Sequence, residues 1–167
     1  MSIYLVAGGA RSGKSRKGEE LALTSAGSGK PVFIATAEAI DDEMTNRIKK
    51  HQTDRGDAFS LVEEPKNLSS ALKEIDGDAT VLVDCLTLWL SNNMMGEGTD
   101  SNQSVISAAK ARTGATIFIS NEVGEGIVPM HPVSREFRDL SGIMNQQFAA
   151  AADKIYFMKF GIAQELK

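Results

Sequence analysis

The fold is decided by one stretch near the start of the chain, residues 3–15, which reads IYLVAGGARSGKS. Its apolar first half predicts a strand, and its second half matches the phosphate-binding pattern G-x-x-x-x-G-K-[ST]. Glycines allow backbone angles and close approaches that a side chain would block, so the loop N–H groups can converge on phosphate at the start of the next helix. We therefore predict a nucleotide-phosphate site formed by Gly8, Gly9, Ala10, Arg11, Ser12, Gly13, Lys14 and Ser15.

Two side chains of this loop have distinct chemical tasks. Lys14 would neutralise charge on the β and γ phosphates, and the Ser15 hydroxyl would bind Mg²⁺. A second metal ligand is predicted at Asp84, which follows the apolar run 81–83 and would lie beside the loop at the carboxyl edge of a sheet. A solvated strand-end carboxylate or a helix cap is the alternative interpretation of Asp84.

Apolar runs recur along the chain and define the fold class. Besides the first strand they occupy residues 32–35, 80–83, 116–119 and 155–158. Each is apolar on both faces, which is typical of strands buried in a parallel sheet. Helical stripes lie between them, at Leu68, Leu72 and Ile75 and at Phe137, Leu140, Met144 and Phe148. The pattern predicts one α/β domain over 1–167, with a mostly parallel sheet flanked by helices, a surface loop over 92–103 and a frayed tail after Gly161.

Composition excludes several classes of protein. The chain has 167 residues, a formal net charge of −4 and one cysteine, Cys85. Net acidity argues against a general nucleic-acid binder, and a lone cysteine excludes an intrachain disulfide or a multi-cysteine metal site. No apolar run approaches the roughly 18 residues of a membrane span, and the first residues lack the basic region of a signal peptide. We therefore expect a cytoplasmic protein.

A histidine follows a charged helical pattern over residues 41–51. Acids occupy the first turn and bases the last, which suits the helix dipole, and Met44, Ile48 and His51 share one face. His51 either continues an apolar stripe or acts as a neutral imidazole nucleophile that attacks a nucleotide phosphorus and forms a phosphoramidate. His131, in a predicted loop, has no evident partner.

Several segments taken together resemble one enzyme family. They are the loop 8–16, the pattern 42–51, residues 121–124 and 126–129, Arg135, residues 137–139, Gly142, Asn145, Gln146 and residues 151–153. In this combination the chain resembles the bifunctional adenosylcobinamide kinase/adenosylcobinamide-phosphate guanylyltransferase family of cobalamin biosynthesis, over essentially its whole length.

The resemblance implies a P-loop domain with a RecA-like sheet that assembles as a homotrimer. It implies two reactions: ATP or GTP phosphorylates adenosylcobinamide, and a guanylylated histidine, here His51, then transfers GMP from GTP to adenosylcobinamide phosphate, with Mg²⁺ as the metal. The nucleotide contacts it implies outside the loop are Ala35, Thr36, Ala37, Glu63 and Asp84.

Two positions depart from the family pattern. Some relatives have two adjacent histidines where this chain has Lys50 and His51, and some have Glu in place of Asp84. Two other functions stay open on the residues alone: a P-loop small-molecule kinase without nucleotidyl transfer, which would not need His51, and a RecA-like ATPase module that drives a partner. An intact Lys14 and Ser15 argue against a nucleotide-binding regulator without catalysis.

Overall fold

The computed structural model describes residues 2–38, 56–96 and 98–167. Its centre is a seven-stranded sheet with the order β3-β2-β4-β5-β1-β6-β7. Every adjacent pair is parallel except β6 and β7, which are antiparallel. The strands are β1 (Ile3–Gly8), β2 (Val32–Ala35), β3 (Ser60–Glu63), β4 (Val81–Asp84), β5 (Thr116–Asn121), β6 (Lys154–Lys159) and β7 (Ile162–Glu165).

Helices cover both faces of the sheet. Those in the described ranges are α1 (Lys14–Ala26), α2 (Leu68–Glu74), α3 (Leu86–Met95), α4 (Asn102–Lys110) and α5 (Pro132–Ala151), with a 3₁₀ turn at Gly56–Ala58. Neighbouring strand residues point to opposite faces. In β4, Val81 and Val83 join a core with α2–α5, whereas Leu82 joins a second core with α1. The α/β class predicted from doubly apolar runs is confirmed, because each of the five runs forms a strand.

The two strands that the pattern did not predict lie at the sheet edges. β3 and β7 carry mostly exposed side chains, so neither has a doubly apolar run. The frayed tail predicted after Gly161 is therefore wrong. Residues 162–165 pair with β6, and Lys154 and Glu165 form an ion pair of 2.9 Å across the two strands. Backbone pairing orders this segment without burying apolar side chains.

The surface loop predicted over 92–103 is also largely wrong. Helix α3 continues to Met95 with Asn92 buried in its last turns, and α4 begins at Asn102. Asn92 is polar but both hydrogens of its side-chain amide are used, since Nδ2 donates to the backbone oxygens of Thr36 and Pro65 at 2.8 and 3.0 Å. An asparagine that binds a neighbouring chain segment looks like a loop residue in sequence.

The predicted helical stripes are confirmed in part. Leu68 and Leu72 are buried in α2, and Met144 and Phe148 are buried in α5, whereas Leu140 is exposed. The predicted helix over 41–51, with His51, lies outside the described residues. Among the described residues, no helix is both long and apolar enough to cross a membrane.

Candidate nucleotide site

The glycine loop links β1 to α1 as the motif predicted. Gly8 has φ +152°, and a Cβ there would lie 2.5 Å from the Met158 backbone oxygen, so the strand end has no room for a side chain. Gly13 caps α1 with φ +98°, a left-handed conformation that other residues adopt at a cost. The two glycines therefore turn the chain tightly and direct the loop N–H groups towards the N-terminus of α1.

Lys14 folds back over this loop. Its Nζ donates to the Gly9 carbonyl at 2.6 Å, and the residue is buried. Burial lowers the pKa of Lys14, while the nearby Cys85 and Asp84 raise it in part. A buried cation at the N-terminal loop of α1 is well suited to bind a phosphate, because the anion would replace the solvation that the ammonium lacks.

Ser15 and Asp84 lie together, as the sequence predicted for a metal site. The Ser15 hydroxyl donates to Oδ2 of Asp84 at 3.0 Å, which joins the first turn of α1 to the end of β4. A hydroxyl and a carboxylate are hard oxygen donors, the type that Mg²⁺ binds together with phosphate oxygens. No three His, Cys, Asp or Glu side chains cluster as a metal site within the described ranges, so any cation here would take its remaining ligands from phosphate and water.

Thr36 fixes the backbone next to Asp84. Its backbone amide donates to the backbone oxygen of Asp84 at 3.2 Å. Its hydroxyl donates to the Cys85 oxygen at 2.8 Å and accepts from the Cys85 amide at 2.7 Å. Thr36 is fully buried, and its hydroxyl has both a donor and an acceptor inside the protein. Its side chain therefore positions the end of β4, while the adjacent half-buried Ala35 and Ala37 lie nearer the surface.

Glu63 lies at the same level of the sheet as Asp84, two strands away from it. Residue 35 of β2 pairs with Glu63 on one side and with Asp84 on the other. Neighbouring strands are about 4.8 Å apart, so the two acids are roughly 10 Å apart across the carboxyl edge. Glu63 is exposed on edge strand β3. This edge therefore separates a carboxylate at the phosphate loop from one at the rim of the sheet.

A polar network at the end of β5 was not predicted. The backbone amide of Asn121 donates to Oγ1 of Thr87 in α3 at 2.7 Å. The Ser120 hydroxyl donates to Oδ1 of Asn145 in α5 at 2.6 Å. The Glu122 amide then donates to the Gly8 oxygen at 3.0 Å, which ties this strand end to the phosphate loop. The signal available in the sequence was polar residues directly after a fully apolar run.

A cleft of about 280 Å³ opens next to the first half of the loop. One wall comes from the loop and from acids after β5, and the other from β6 and the turn into β7. Arg11 faces this cleft from a left-handed backbone conformation, φ +53°. The lining residues are Gly9, Ala10, Arg11, Ser12, Glu122, Glu125, Phe157, Met158, Lys159 and Phe160.

β1, the glycine loop and α1 form one unit, and its Ser15 contacts Asp84 at the end of β4, two strands away in the sheet. This arrangement defines a P-loop protein with a RecA-like sheet. Solved structures show the same fold. The flagellar accessory protein FlaH from Methanocaldococcus jannaschii matches with a TM-score of 0.56 and 11% identity, over 99% of this chain and 78% of that one. The protein of Project ID PH0250 from Pyrococcus horikoshii matches with a TM-score of 0.51 and 12% identity, over 99% of this chain and 86% of that one.

Sequence comparison then gives the particular family. Residues 4–166 match the model of the cobinamide kinase/cobinamide phosphate guanyltransferase family, CobU, and the chain belongs to that family. Two similar proteins are the bifunctional adenosylcobalamin biosynthesis proteins CobU of Escherichia coli and CobP of Pseudomonas aeruginosa. The first is 35% identical over 183 aligned residues, 99% of each chain; the second is 38% identical over 169, 98% of this chain and 96% of that one.

The family predicted by resemblance is thus confirmed. The chain is a bifunctional kinase and guanylyltransferase of adenosylcobalamin biosynthesis, and cobinamide and nucleotides are the substrates that its family implies. A kinase without nucleotidyl transfer and a RecA-like ATPase module fall away as assignments, because the matched family combines both transfer reactions.

Proposed function

We propose that one nucleoside triphosphate, ATP or GTP, binds with its phosphates in the loop 8–15 and donates its γ-phosphoryl group to adenosylcobinamide. The observation that carries this is the 3.0 Å contact between Ser15 and Asp84, with Lys14 folded over the loop beside them. The aminopropanol oxygen of the acceptor attacks the γ-phosphorus, the bond to the β–γ bridging oxygen breaks, and the acceptor hydroxyl loses its proton. Lys14 and the loop N–H groups stabilise the charge on the leaving diphosphate.

Mg²⁺ is the proposed metal, with Ser15 and Asp84 as its protein ligands. Their oxygen donors fit this cation, and the hydrogen bond between them holds both at one place on the carboxyl edge. The metal supplies Lewis-acid stabilisation of phosphate charge when it is bound. Asp84 is shorter than the Glu of some relatives, and it would hold the metal from the last position of β4.

The second reaction is proposed to run through His51. A ring nitrogen of neutral His51 attacks the α-phosphorus of GTP, a P–N bond forms, and pyrophosphate leaves. A phosphate oxygen of adenosylcobinamide phosphate then attacks the same phosphorus and breaks the P–N bond, which gives adenosylcobinamide-GDP. Two displacements replace one difficult step. Support comes from the charge pattern of residues 41–51 and from the family match.

The remaining proposed contacts lie along the carboxyl edge. Ala35, Ala37 and Glu63 are proposed to contact nucleotide. Thr36, which the resemblance also implied as a nucleotide contact, is fully buried with its hydroxyl bonded to Cys85, so we propose that it positions that edge instead. A cytoplasmic homotrimer is proposed from the family resemblance. Exposed apolar side chains after β5, such as Ile127 and Met130, are compatible with self-association, and sedimentation equilibrium would give the subunit number.

The decisive experiment is to label the protein with GTP. Full-length protein is incubated with Mg²⁺ and GTP labelled at the α-phosphate, denatured, and assayed for label stable in alkali and lost in acid, as a phosphoramidate is. We expect label on wild type and none on His51→Ala, with phosphorylation of adenosylcobinamide retained in that variant.

The other histidine provides the matched control. His131 is exposed just before α5, so His131→Ala should label like wild type. If wild type carries no label while it still phosphorylates adenosylcobinamide, or if His51→Ala labels normally, His51 is not the guanylylated residue.

A further inference from the structure

The turn between β6 and β7 is attached to the phosphate loop. The Gly161 amide donates to the Ser12 oxygen at 3.1 Å, and Nη2 of Arg16 donates to the Gly161 oxygen at 3.5 Å. Lys159 and Ile162 pair across the turn, so Phe160 and Gly161 are its two central residues. The tip of this hairpin is therefore held at a set distance from the loop that the proposed function assigns to phosphate.

Phe160 is an unusual residue for this position. It has φ +55° and Gly161 has φ +78°, and a two-residue turn with positive φ at both positions favours Asn or Asp followed by Gly. An aromatic residue there carries a conformational cost. The cost is not offset by burial, because Phe160 is 89% exposed. A strained, exposed aromatic side chain beside a site is a reason to look for a functional role.

The ring borders the same cleft as the loop. Phe160 and residues 9–12 are on its lining, and Glu122 and Glu125 are on it as well. Arg11 and Lys159 are also on the lining and balance the two carboxylates, so the cleft has no net positive charge that would attract a further phosphate and suits an uncharged part of a ligand. The volume of about 280 Å³ is near the lower limit of small-molecule sites and suits a portion of a ligand rather than all of it.

The sheet order indicates which portion of a nucleotide would reach the hairpin. Asp84 and Ser15 mark the metal end of the site, where the β and γ phosphates would lie. β4 is on one side of β1, and the β6–β7 hairpin is on the other. A nucleotide whose metal-bound phosphates are directed to Asp84 therefore extends its nucleoside away from β4, towards Phe160.

We propose that Phe160 is a stacking platform for the base of the nucleoside triphosphate whose phosphates occupy the loop 8–15; this rests on the proposed function. The Lys159 ammonium lies 5.9 Å from the ring centroid, and the high exposure of the residue leaves ring surface open for a base. Stacking on a phenyl ring tolerates any base, since every base has a π-face. The platform therefore predicts similar contributions to ATP and GTP binding.

The test compares Phe160→Asn and Phe160→Tyr in the full chain. Asn removes the ring and suits the positive φ, so the turn and the fold are kept; Tyr keeps the ring. Dissociation constants are measured with Mg²⁺ for ATP, GTP and inorganic triphosphate. We expect Phe160→Asn to weaken ATP and GTP about tenfold and inorganic triphosphate less than twofold, and Phe160→Tyr to bind all three like wild type.

Three outcomes would overturn the platform. One is ATP and GTP affinity unchanged in Phe160→Asn; another is an equal loss for inorganic triphosphate, which would mean that the turn only positions the loop. The third is a raised KM for adenosylcobinamide alone, which would assign the ring to the corrinoid. Lys14→Ala separates these from failure of the proposed site: if it leaves inorganic triphosphate binding intact, the loop is not the phosphate site and both proposals fall.

Discussion

The two sides of the phosphate loop differ in how they use polar groups. On the closed flank, formed by the ends of β2 and β4 with α3, Thr36, Cys85 and Asn92 satisfy one another and the backbone in buried hydrogen bonds. On the open flank, formed by the β6–β7 turn and residues 122–131, Phe160 and Ile127 are 89% and 97% exposed. The fold thus rigidifies the edge that carries Asp84 and leaves the other edge available to ligands or partner chains.

The largest expected effect is the loss of kinase activity on substitution of Lys14, which lies between the two flanks. Lys14→Ala removes the cation that faces phosphate, and loss of one charge-stabilising group at a reacting centre costs about 10²–10³ in rate. We expect kcat/KM for the kinase reaction to fall by that factor, measured with adenosylcobinamide and ATP. If the same loop serves GTP, GMP labelling of the protein should fall as well.

Lys17→Ala is the matched control for this loss. Lys17 is one turn further along α1, where it forms an ion pair with Glu20 at 3.0 Å and its ammonium lies 5.2 Å from the Tyr156 ring centroid. Its removal should change kcat/KM by less than twofold. A comparable loss in both variants would mean that positive charge on α1, rather than the loop lysine, matters.

The stability contrast between the flanks is expected at Asn92 and Ile127. Asn92→Ala leaves the backbone oxygens of Thr36 and Pro65 without their donor, and buried groups that lose a partner cost about 1–3 kcal/mol each. Ile127→Ala removes a side chain that is already in solvent, so its cost should be under about 0.5 kcal/mol. Urea unfolding followed by circular dichroism measures both free energies of unfolding. If the two variants lose the same free energy of unfolding, the two flanks do not differ in how tightly they are held.

The smallest expected effect is a pH dependence of the free energy of unfolding that comes from Cys85. Burial, and then the nearby Asp84, raise the pKa of this thiol from 9.0 to about 11. Above pH 9 the unfolded state therefore releases a proton that the folded state keeps, so stability is fully present below pH 9 and falls as pH rises towards 11. The loss at pH 10 is on the order of 1 kcal/mol.

Cys85→Ala should remove that fall. Lys14 acts in the opposite direction, since its lowered pKa makes stability rise as pH approaches 10.5. Cys85 partly offsets that lowering, so the variant should lose the fall and show a slightly larger rise from Lys14. The measurement is the free energy of unfolding at pH 8 and pH 10 for each protein. The same change between the two pH values in both would show that the thiol does not titrate on unfolding.

The central features of the fold and site were predictable because they have local signatures. Doubly apolar runs identify strands buried on both faces, and the spacing of Gly8, Gly13, Lys14 and Ser15 follows from loop geometry alone. The edge strands β3 and β7 have no such signature, since their pairing depends on backbone groups that every residue carries. Asn92 was misassigned for a related reason: its amide is satisfied by segments far away in the chain.

The sequence by itself determined a P-loop α/β enzyme of the cobinamide kinase and guanyltransferase family, with a phosphate loop at 8–15. The sequence paired Asp84 with Ser15 but left a solvated strand end or a helix cap as alternatives, and the contact between the two side chains appears only in the tertiary structure. Only the tertiary structure decided that Thr36 is buried behind Asp84 and that the β6–β7 turn lies against Ser12. The physical reason is distance along the chain. A loop motif is formed by neighbours, whereas these contacts join residues about 50 to 150 positions apart, which only the order of strands in the sheet brings together.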